Sequence, residues 1–196
     1  MKQIPLLLIA LVACIAVQAQ GIQFGPRLGV SFTNVSINGF KADGLTRLHA
    51  GVFVAVPVAN RIEIESGAIY SQQGTYQTGQ LKGRSALEYL NIPVLGRYKL
   101  LDALAVYAGP QIGIGLSSSF KAESNGRVYP VTGVIDPIDV TLLFGADYEV
   151  YQGISAGARY FFSLGDMHGD DNKVGKNYVF QLSLAYDLAR LFFRKE

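Results

Sequence analysis

Hydrophobic residues recur at every second position through most of this chain, and this period of two constrains the fold more than any other feature. The first repeat places these apolar residues on one face: Ile22, Phe24, Pro26, Leu28, Val30 and Phe32. The alternate positions are glycine, polar or charged. Successive side chains of a β-strand point to opposite sides, so this pattern predicts strands with one apolar face. It recurs over residues 47–56, 61–71, 88–100, 103–117, 138–149, 154–163 and 177–188, which predicts about eight strands and an all-β fold.

Composition and charge agree with a sheet protein and exclude some partners. Among 196 residues there are 22 glycines, 11 tyrosines and 11 phenylalanines, a bias that suits sheets and tight turns. The length suits one domain or one closed barrel. The formal net charge is only +2, and the lysines and arginines are scattered, so no nucleic acid is expected as a partner.

The first 19 residues are predicted to be a cleaved signal peptide, which leaves residues 20–196 as the barrel domain. Lys2 is followed by an apolar stretch over residues 4–17, and small residues precede a cut between Ala19 and Gln20. A rival interpretation is that residues 11–14 form a lipobox with Cys14 lipidated. Apolar residues follow Cys14 where a lipoprotein has a polar tether, which favours cleavage. Beyond the signal, no segment approaches the ~18 uninterrupted apolar residues of a membrane helix.

The connections between the predicted strands alternate between short and long. Those around 57–61, 100–103 and 150–153 are short, and those around 34–46, 73–86, 119–137 and 165–176 are long and polar. Transmembrane barrels have short periplasmic turns and longer external loops. Each strand also reaches the ~9 to 11 residues that a tilted strand needs to cross the hydrocarbon layer. The sequence therefore predicts an eight-stranded antiparallel up-and-down transmembrane β-barrel in the cell outer membrane, with both termini periplasmic.

The charged face of each strand is predicted to line the lumen, because hydrocarbon does not solvate charge. A barrel of this size is filled by its own side chains, so no open aqueous pore is expected. Unpaired buried charges are costly, so the lumen charges are expected to pair in a network. Its predicted members are Arg27, Arg47, Glu63, Glu65, Glu88, Arg97, Asp147, Glu149, Arg159 and Asp187. Inward glycines at positions 25, 29, 51, 67, 109, 113, 115, 145 and 157 are expected to make room for long neighbours and strong coiling.

Two aromatic belts are predicted on the apolar face, one at each membrane interface. The belt near the short turns consists of Phe24, Tyr98, Tyr148 and Tyr186. The belt near the long loops consists of Phe32, Tyr70, Phe162 and Tyr178. Outer-membrane lipid and lipopolysaccharide are the surroundings that such belts imply.

Five segments together carry a resemblance to a known family: FGPRLGVSFTNVS, LHAGVFVAVPVANRIEIESGAIYSQQGTY, LEYLNIPVLGRYKL, VYAGPQIGIGLSS and ARYFFSLGDM. They resemble the outer-membrane β-barrel family common in Bacteroidetes, often labelled PorT-like. The resemblance implies an outer-membrane barrel and no defined activity; a secretion role would rest on fold analogy alone. Such chains commonly end on an aromatic residue that the barrel-assembly machinery reads, whereas this chain runs past Tyr186. Either Phe192 or Phe193 extends the last strand, or the tail hangs in the periplasm.

No catalytic constellation stands out in the sequence. The two histidines are His49 and His168. His49 is expected to point inward with Ser31 and Ser71 near it, as a lipid-modifying barrel enzyme would require, but the pattern favours a polar lumen residue. The acidic loop 166–171 has ligands for a divalent cation, but such loops are usually just solvated. No catalytic residue, no cofactor and no metal site is assigned.

Three functions stay open at this point. The first is a non-enzymatic, monomeric outer-membrane barrel whose external loops contact a surface or periplasmic protein partner or lipopolysaccharide, as an accessory to transport or secretion. The second is a lipid-modifying outer-membrane barrel enzyme. The third is a soluble or lipid-anchored, lipocalin-like ligand-binding barrel, in which the apolar face would point inward around a pocket.

Overall fold

The computed structural model describes residues 21–37, 40–41, 43–77, 82–124, 127–131, 138–164 and 175–192. The strands in chain order are β1 Gln23–Ile37, β2 Phe40–Lys41, β3 Asp43–Ala59, β4 Ile62–Gln77, β5 Lys82–Lys99, β6 Leu104–Ser124, β7 Arg127–Val131, β8 Ile138–Tyr151, β9 Ile154–Ser163 and β10 Gly175–Tyr186. One short helix, α1, follows at Ala189–Phe192. The predicted signal peptide with Cys14, and the acidic loop 166–171, lie outside the described residues.

Eight of these strands close into an antiparallel barrel, as the sequence predicts. The order around the barrel is β10-β9-β8-β6-β5-β4-β3-β1, and β1 pairs with β10 to complete the circle. The two remaining strands are short additions, since β2 pairs with β1 and β7 pairs with β6. Closure pairs each of the eight barrel strands on both sides among the described residues, as backbone surrounded by lipid requires.

Three short turns join barrel strands at one end, which we name the short-turn end. They span residues 60–61, 100–103 and 152–153. In the two-residue turns, Arg61 has φ 64°, Gln152 has φ 33° and Gly153 has φ 88°. Positive φ matches the turn twist to the right-handed twist of the paired strands. The opposite end, where the strands are joined by the other connections, is named the long-connection end.

The strands continue further toward the long-connection end than the sequence pattern indicates. The sequence predicts long connections from positions 34, 73 and 119, but β1 runs to Ile37, β4 to Gln77 and β6 to Ser124. Apolar alternation stops where the surroundings become polar. Backbone hydrogen bonds between strands need no apolar face, so strand pairing continues where the pattern that predicted it ends. The barrel wall therefore projects beyond its apolar band.

The apolar face of the wall points outward and the polar face inward. Leu48 is 67% exposed and Val52 is 57% exposed, whereas Arg27 is 2% exposed and Glu65 is 1% exposed. A soluble ligand-binding barrel has the opposite arrangement, with apolar side chains around its axis. The lipocalin-like hypothesis is therefore wrong for this structure.

The end of the described chain neither extends β10 nor hangs free, which corrects both expectations for the tail up to Phe192. After Tyr186 the backbone folds back on the barrel: Asp187 N donates to Gly153 O at 2.9 Å and Leu188 N donates to Phe24 O at 2.8 Å. The helix α1 follows directly. Within the described part of the chain, no helix is long and apolar enough to cross a membrane. Phe193 lies outside that part.

Candidate functional site

The centre of the lumen holds one carboxylate that accepts hydrogen bonds from three guanidinium groups. Glu65 on β4 accepts hydrogen bonds from three donors, which are Arg27 Nη2 at 3.2 Å, Arg97 Nη1 at 2.9 Å and Arg159 Nη2 at 2.6 Å. These arginines come from β1, β5 and β9, so the contacts join distant parts of the wall across the lumen. Charge-assisted hydrogen bonds of this kind are stronger than neutral ones, and here solvent does not screen them.

Asp147 on β8 is the second carboxylate of this cluster. Arg27 holds it with two hydrogen bonds, Nη1 to Oδ1 at 3.2 Å and Nη2 to Oδ2 at 3.0 Å. Tyr107 Oη also donates to Asp147 Oδ1 at 2.8 Å and accepts from Arg159 Nε at 3.0 Å. The guanidinium of Arg159 lies 5.0 Å from the Tyr107 ring centroid, and that of Arg27 lies 5.1 Å from the Phe53 centroid. Aromatic faces therefore complete the surroundings of both cations.

Glu63 extends the network toward the short-turn end. Its carboxylate lies 3.5 Å from Arg97 Nε and 2.5 Å from Lys99 Nζ. The side chain of Lys99 is 32% exposed, so this cation reaches solvent while the others are buried. Three buried guanidinium groups thus face three buried carboxylates, and the balance avoids the cost of an uncompensated charge. We name the seven residues the lumen network: Arg27, Glu63, Glu65, Arg97, Tyr107, Asp147 and Arg159.

Two residues that the sequence assigns to the same network belong to a separate cluster at the rim. Glu149 Oε2 accepts a hydrogen bond from Arg190 Nη2 at 2.6 Å, and Glu149 Oε1 accepts one from Gly153 N at 3.1 Å. Asp187 Oδ1 receives the backbone N–H groups of Phe24 at 3.3 Å and of Ala189 at 3.0 Å. Sequence reasoning missed Arg190 because this residue lies beyond the last predicted strand, which ends at residue 188.

Glu88 is placed differently from its sequence assignment, which is a correction. It pairs with Gln72, and Gln72 Nε2 donates to the hydroxyl of Tyr70 on the outer face. Strict alternation along β5 puts Glu88 on the face of Leu90, so it does not line the lumen. Leu90 pairs with the belt residue Tyr70, and Glu88 lies two positions beyond it, where the wall leaves the apolar band.

Arg47 lies on the lumen side but is not brought into the lumen network. It is half-buried, and it pairs in register with Ser31, two positions along β3 from His49. Its Nε atom is buried and has no hydrogen-bond partner among the described residues. The alternation of side chains predicted correctly that Arg47 faces the lumen. No local sequence signal indicates which side chains lie at the same height along the barrel axis.

An apolar layer fills part of the lumen, which the sequence analysis did not predict. The buried cluster consists of Leu95, Tyr107, Leu143, Phe161 and Val179. These residues occupy inward positions of β5, β6, β8, β9 and β10. Strict alternation along each strand would have predicted all five positions as inward, but apolar residues were not considered for the lumen. At the short-turn end, a cavity of about 30 Å³ lies among Arg27, Arg97, Lys99 and Asp147, a volume that suits water alone.

Among the described residues, Ser31 and His49 form a pair that resembles nucleophile and base. Ser31 Oγ lies 3.0 Å from His49 Nδ1 and accepts a hydrogen bond from Gln181 Nε2 at 2.9 Å. Ser71 lies opposite His49 in the register of β3 and β4. Ser31 and Ser71 are 0% exposed and His49 is 2% exposed, so a lipid substrate has no access to them in this structure.

The structure places all eight predicted belt residues on the outer face, near the two ends of the apolar band. Ring contacts extend both belts to residues that the sequence analysis left out. Phe24 stacks on Phe192 at 6.3 Å between centroids, and Tyr178 stacks on Tyr160 at 6.4 Å. Within the described ranges, no group of three His, Cys, Asp or Glu residues is placed to hold a metal ion.

A closed wall with an apolar outer face, aromatic residues at both ends of that face and paired charges inside defines an integral membrane β-barrel. The profile of the outer membrane protein β-barrel domain family matches residues 18–169. The chain belongs to this family and is an outer-membrane protein.

Solved structures of the same architecture support the fold. Ail, the attachment invasion locus protein of Yersinia pestis, in complex with the heparin analogue sucrose octasulfate, gives a TM-score of 0.56 at 14% identity, covering 84% of this chain and 97% of that one. Neisserial surface protein A gives a TM-score of 0.56 at 10% identity, covering 86% of this chain and 99% of that one. Among the curated proteins, none matches.

Proposed function

We propose that this protein is a non-enzymatic, monomeric outer-membrane barrel that acts through its long-connection end, which faces the cell exterior. The observation that carries the proposal is the filled lumen, because the lumen network and the apolar layer occupy the interior of the described wall. The strands project beyond the apolar band, and this projecting wall provides a surface for binding in place of a channel through the lumen. Both termini and the short turns then face the periplasm, following the asymmetry of outer-membrane barrels.

The register of β5 and β6 supports one class of ligand for the projecting wall. Arg84 lies directly opposite Lys121, and Lys82 lies opposite Glu123 one step further out. Like charges at directly opposed positions destabilise a strand pair unless an anion lies between them. A phosphate-bearing lipid beside the wall fits this position, and we take lipopolysaccharide as the ligand.

Binding of lipopolysaccharide to the full-length protein in detergent micelles tests this proposal. The double variant Arg84→Gln/Lys121→Gln should bind about thirtyfold more weakly, because each of the two cations near an anionic lipid surface contributes roughly 1 kcal/mol. The control is Arg61→Gln, which removes an exposed cation at the short-turn end and should leave the affinity unchanged. Equal binding by the double variant and the parent protein would contradict the assignment. Dephosphorylated lipopolysaccharide should bind the parent protein as weakly as it binds the double variant.

A lipid-modifying activity is the competing function, and the contact between Ser31 and His49 is the observation that favours it. Because both side chains are buried, we expect His49→Gln to leave the phospholipid composition of the outer membrane unchanged when the variant replaces the parent protein. Thin-layer chromatography of extracted lipids measures this. A lipid product that disappears in both His49→Gln and Ser31→Ala, while both variants still insert, would establish the enzyme instead.

A narrower role as an accessory to transport or secretion, as in PorT-like barrels, is part of the same proposal. Its support is the family membership and the filled lumen, which together favour contact with other proteins over conduction. Pull-down from intact outer membranes with a tag in a long connection would recover a secretion component if the role holds. Recovery of lipopolysaccharide alone would limit the function to the surface contact described above.

A further inference from the structure

The segment that follows β10 exposes two large apolar side chains. Leu191 is 62% exposed and Phe192 is 70% exposed, whereas Ala189 in the same short helix is 6% exposed. The helix α1 therefore has one side against the barrel and an apolar side that the described residues leave uncovered. A contiguous exposed apolar patch, unlike a single exposed side chain, marks a surface that contacts a partner or a membrane.

Several contacts fix the position of this segment on the rim. Arg190 Nη2 pairs with Glu149 Oε2 at 2.6 Å, which ties α1 to the end of β8. Leu188 N donates to Phe24 O, which ties the preceding residue to the start of β1. Asp187 Oδ1 accepts the backbone N–H of Ala189 at 3.0 Å and caps the first turn. The segment thus lies along the wall at the short-turn end.

The uncovered side of the segment is continuous with the lipid-facing surface. The Phe192 ring stacks on Phe24 with centroids 6.3 Å apart and planes at 15°, and Phe24 lies on the outer face of β1 in the short-turn belt. Other exposed apolar side chains occur at the same end: Val58 at 52%, Leu101 at 62% and Val150 at 60%. The apolar outer surface therefore extends past the belt onto the rim.

We propose that residues 187–192 form an interfacial membrane anchor, with Leu191 and Phe192 inserted at the boundary between headgroups and acyl chains. The occupant of the uncovered surface is membrane lipid, because the surface continues a wall that lipid already covers. A short amphipathic segment lies in this boundary when its apolar side faces the acyl chains and its charged side faces water. Arg190 and its partner Glu149 supply the charged side.

The absence of tryptophan from the sequence makes a direct test available. Phe192→Trp introduces a single fluorophore, and the full-length variant is reconstituted in phosphatidylcholine vesicles with or without bromine on the acyl chains. We expect about a twofold or greater loss of emission in the brominated vesicles, because interfacial groups penetrate roughly 5–10 Å into the acyl boundary. Leu191→Trp should behave in the same way and serves if Phe192→Trp fails to fold. Gel mobility that shifts on heating reports folding of each variant.

Two matched variants set the scale of quenching. Tyr98→Trp places the fluorophore in the belt, where bromine should quench it, and Asp102→Trp places it in an exposed turn at the same end, where bromine should not. Emission from folded Phe192→Trp and Leu191→Trp that matches Asp102→Trp would overturn the proposal. That outcome would mean that the rim faces water or a protein partner.

Discussion

Glu65→Gln should lower the free energy of unfolding by about 3–5 kcal/mol, which is the usual cost of removing one partner from a buried ion pair. Glu65 accepts hydrogen bonds from Arg27, Arg97 and Arg159, and the neutral amide leaves three guanidinium groups facing two carboxylates inside the wall. Urea titration in phospholipid vesicles, followed by circular dichroism, measures the change. Glutamine keeps the volume of the side chain, so the effect reports charge and not a cavity.

The rim provides the matched control for this prediction. Glu149→Gln removes the same charge from a side chain that is 23% exposed and pairs with the exposed Arg190, so it should cost less than about 1 kcal/mol. Adding Arg159→Gln to Glu65→Gln restores the charge balance and should recover part of the lost stability. Equal losses for Glu65→Gln and Glu149→Gln would contradict the argument.

Gly29→Val should prevent closure of the barrel or destabilise it by more than about 3 kcal/mol. A Cβ at Gly29 would meet Leu182 O, would lie 2.7 Å from Ser183 Cα and would lie 2.8 Å from His49 Cε1. Two of these three atoms belong to the backbone of β10, which pairs with β1 at the seam that closes the barrel. Backbone cannot move aside as a flexible side chain does, so the cost reaches or exceeds that of overpacking a core. The yield of heat-modifiable protein measures the fraction of the variant that forms a closed barrel.

Gly96→Val is the control for Gly29→Val because it changes the same residue type in a barrel strand. Its added Cβ would have Ala108 O as the nearest neighbour at 3.8 Å, on the outer face. Valine is favoured in strands, so this variant should fold at least as well as the parent protein. A folded Gly29→Val with parental stability would show that the seam between β1 and β10 is looser than the structure indicates.

The largest features of the fold were predictable because they depend on local patterns. The period of two identified the barrel strands, and the alternation of short and long connections indicated their antiparallel order. The same pattern assigned outward and inward faces, because hydrocarbon selects against charge at every strand independently. The sequence also predicted that inward glycines make room for long neighbouring side chains. A Cβ at Gly157 would meet the Asp147 carboxylate, and a Cβ at Gly145 would lie 2.8 Å from the Tyr107 ring.

Local patterns were insufficient where the chain leaves the apolar band. The ends of β1, β4 and β6 at the long-connection end are polar, and the sequence pattern therefore predicted loops there. Glu88 was assigned to the lumen by its charge although its position in the alternation places it outside. The helix α1 depends on contacts with Phe24 and Glu149, which no pattern near the C-terminus reveals.

The sequence by itself determined the class of fold, the membrane-facing surface and the alternation of inward and outward positions along each barrel strand. Only the tertiary structure decided which lumen charges meet. Arg27 and Asp147 are 120 positions apart, and they touch because β1 pairs with β10 in the register that sets Arg27 opposite Ala185. The face of a residue follows from its own strand, but its height in the lumen follows from the tilt and stagger of all the strands when the barrel closes. Closure is a property of the whole chain, so no segment of the sequence contains it.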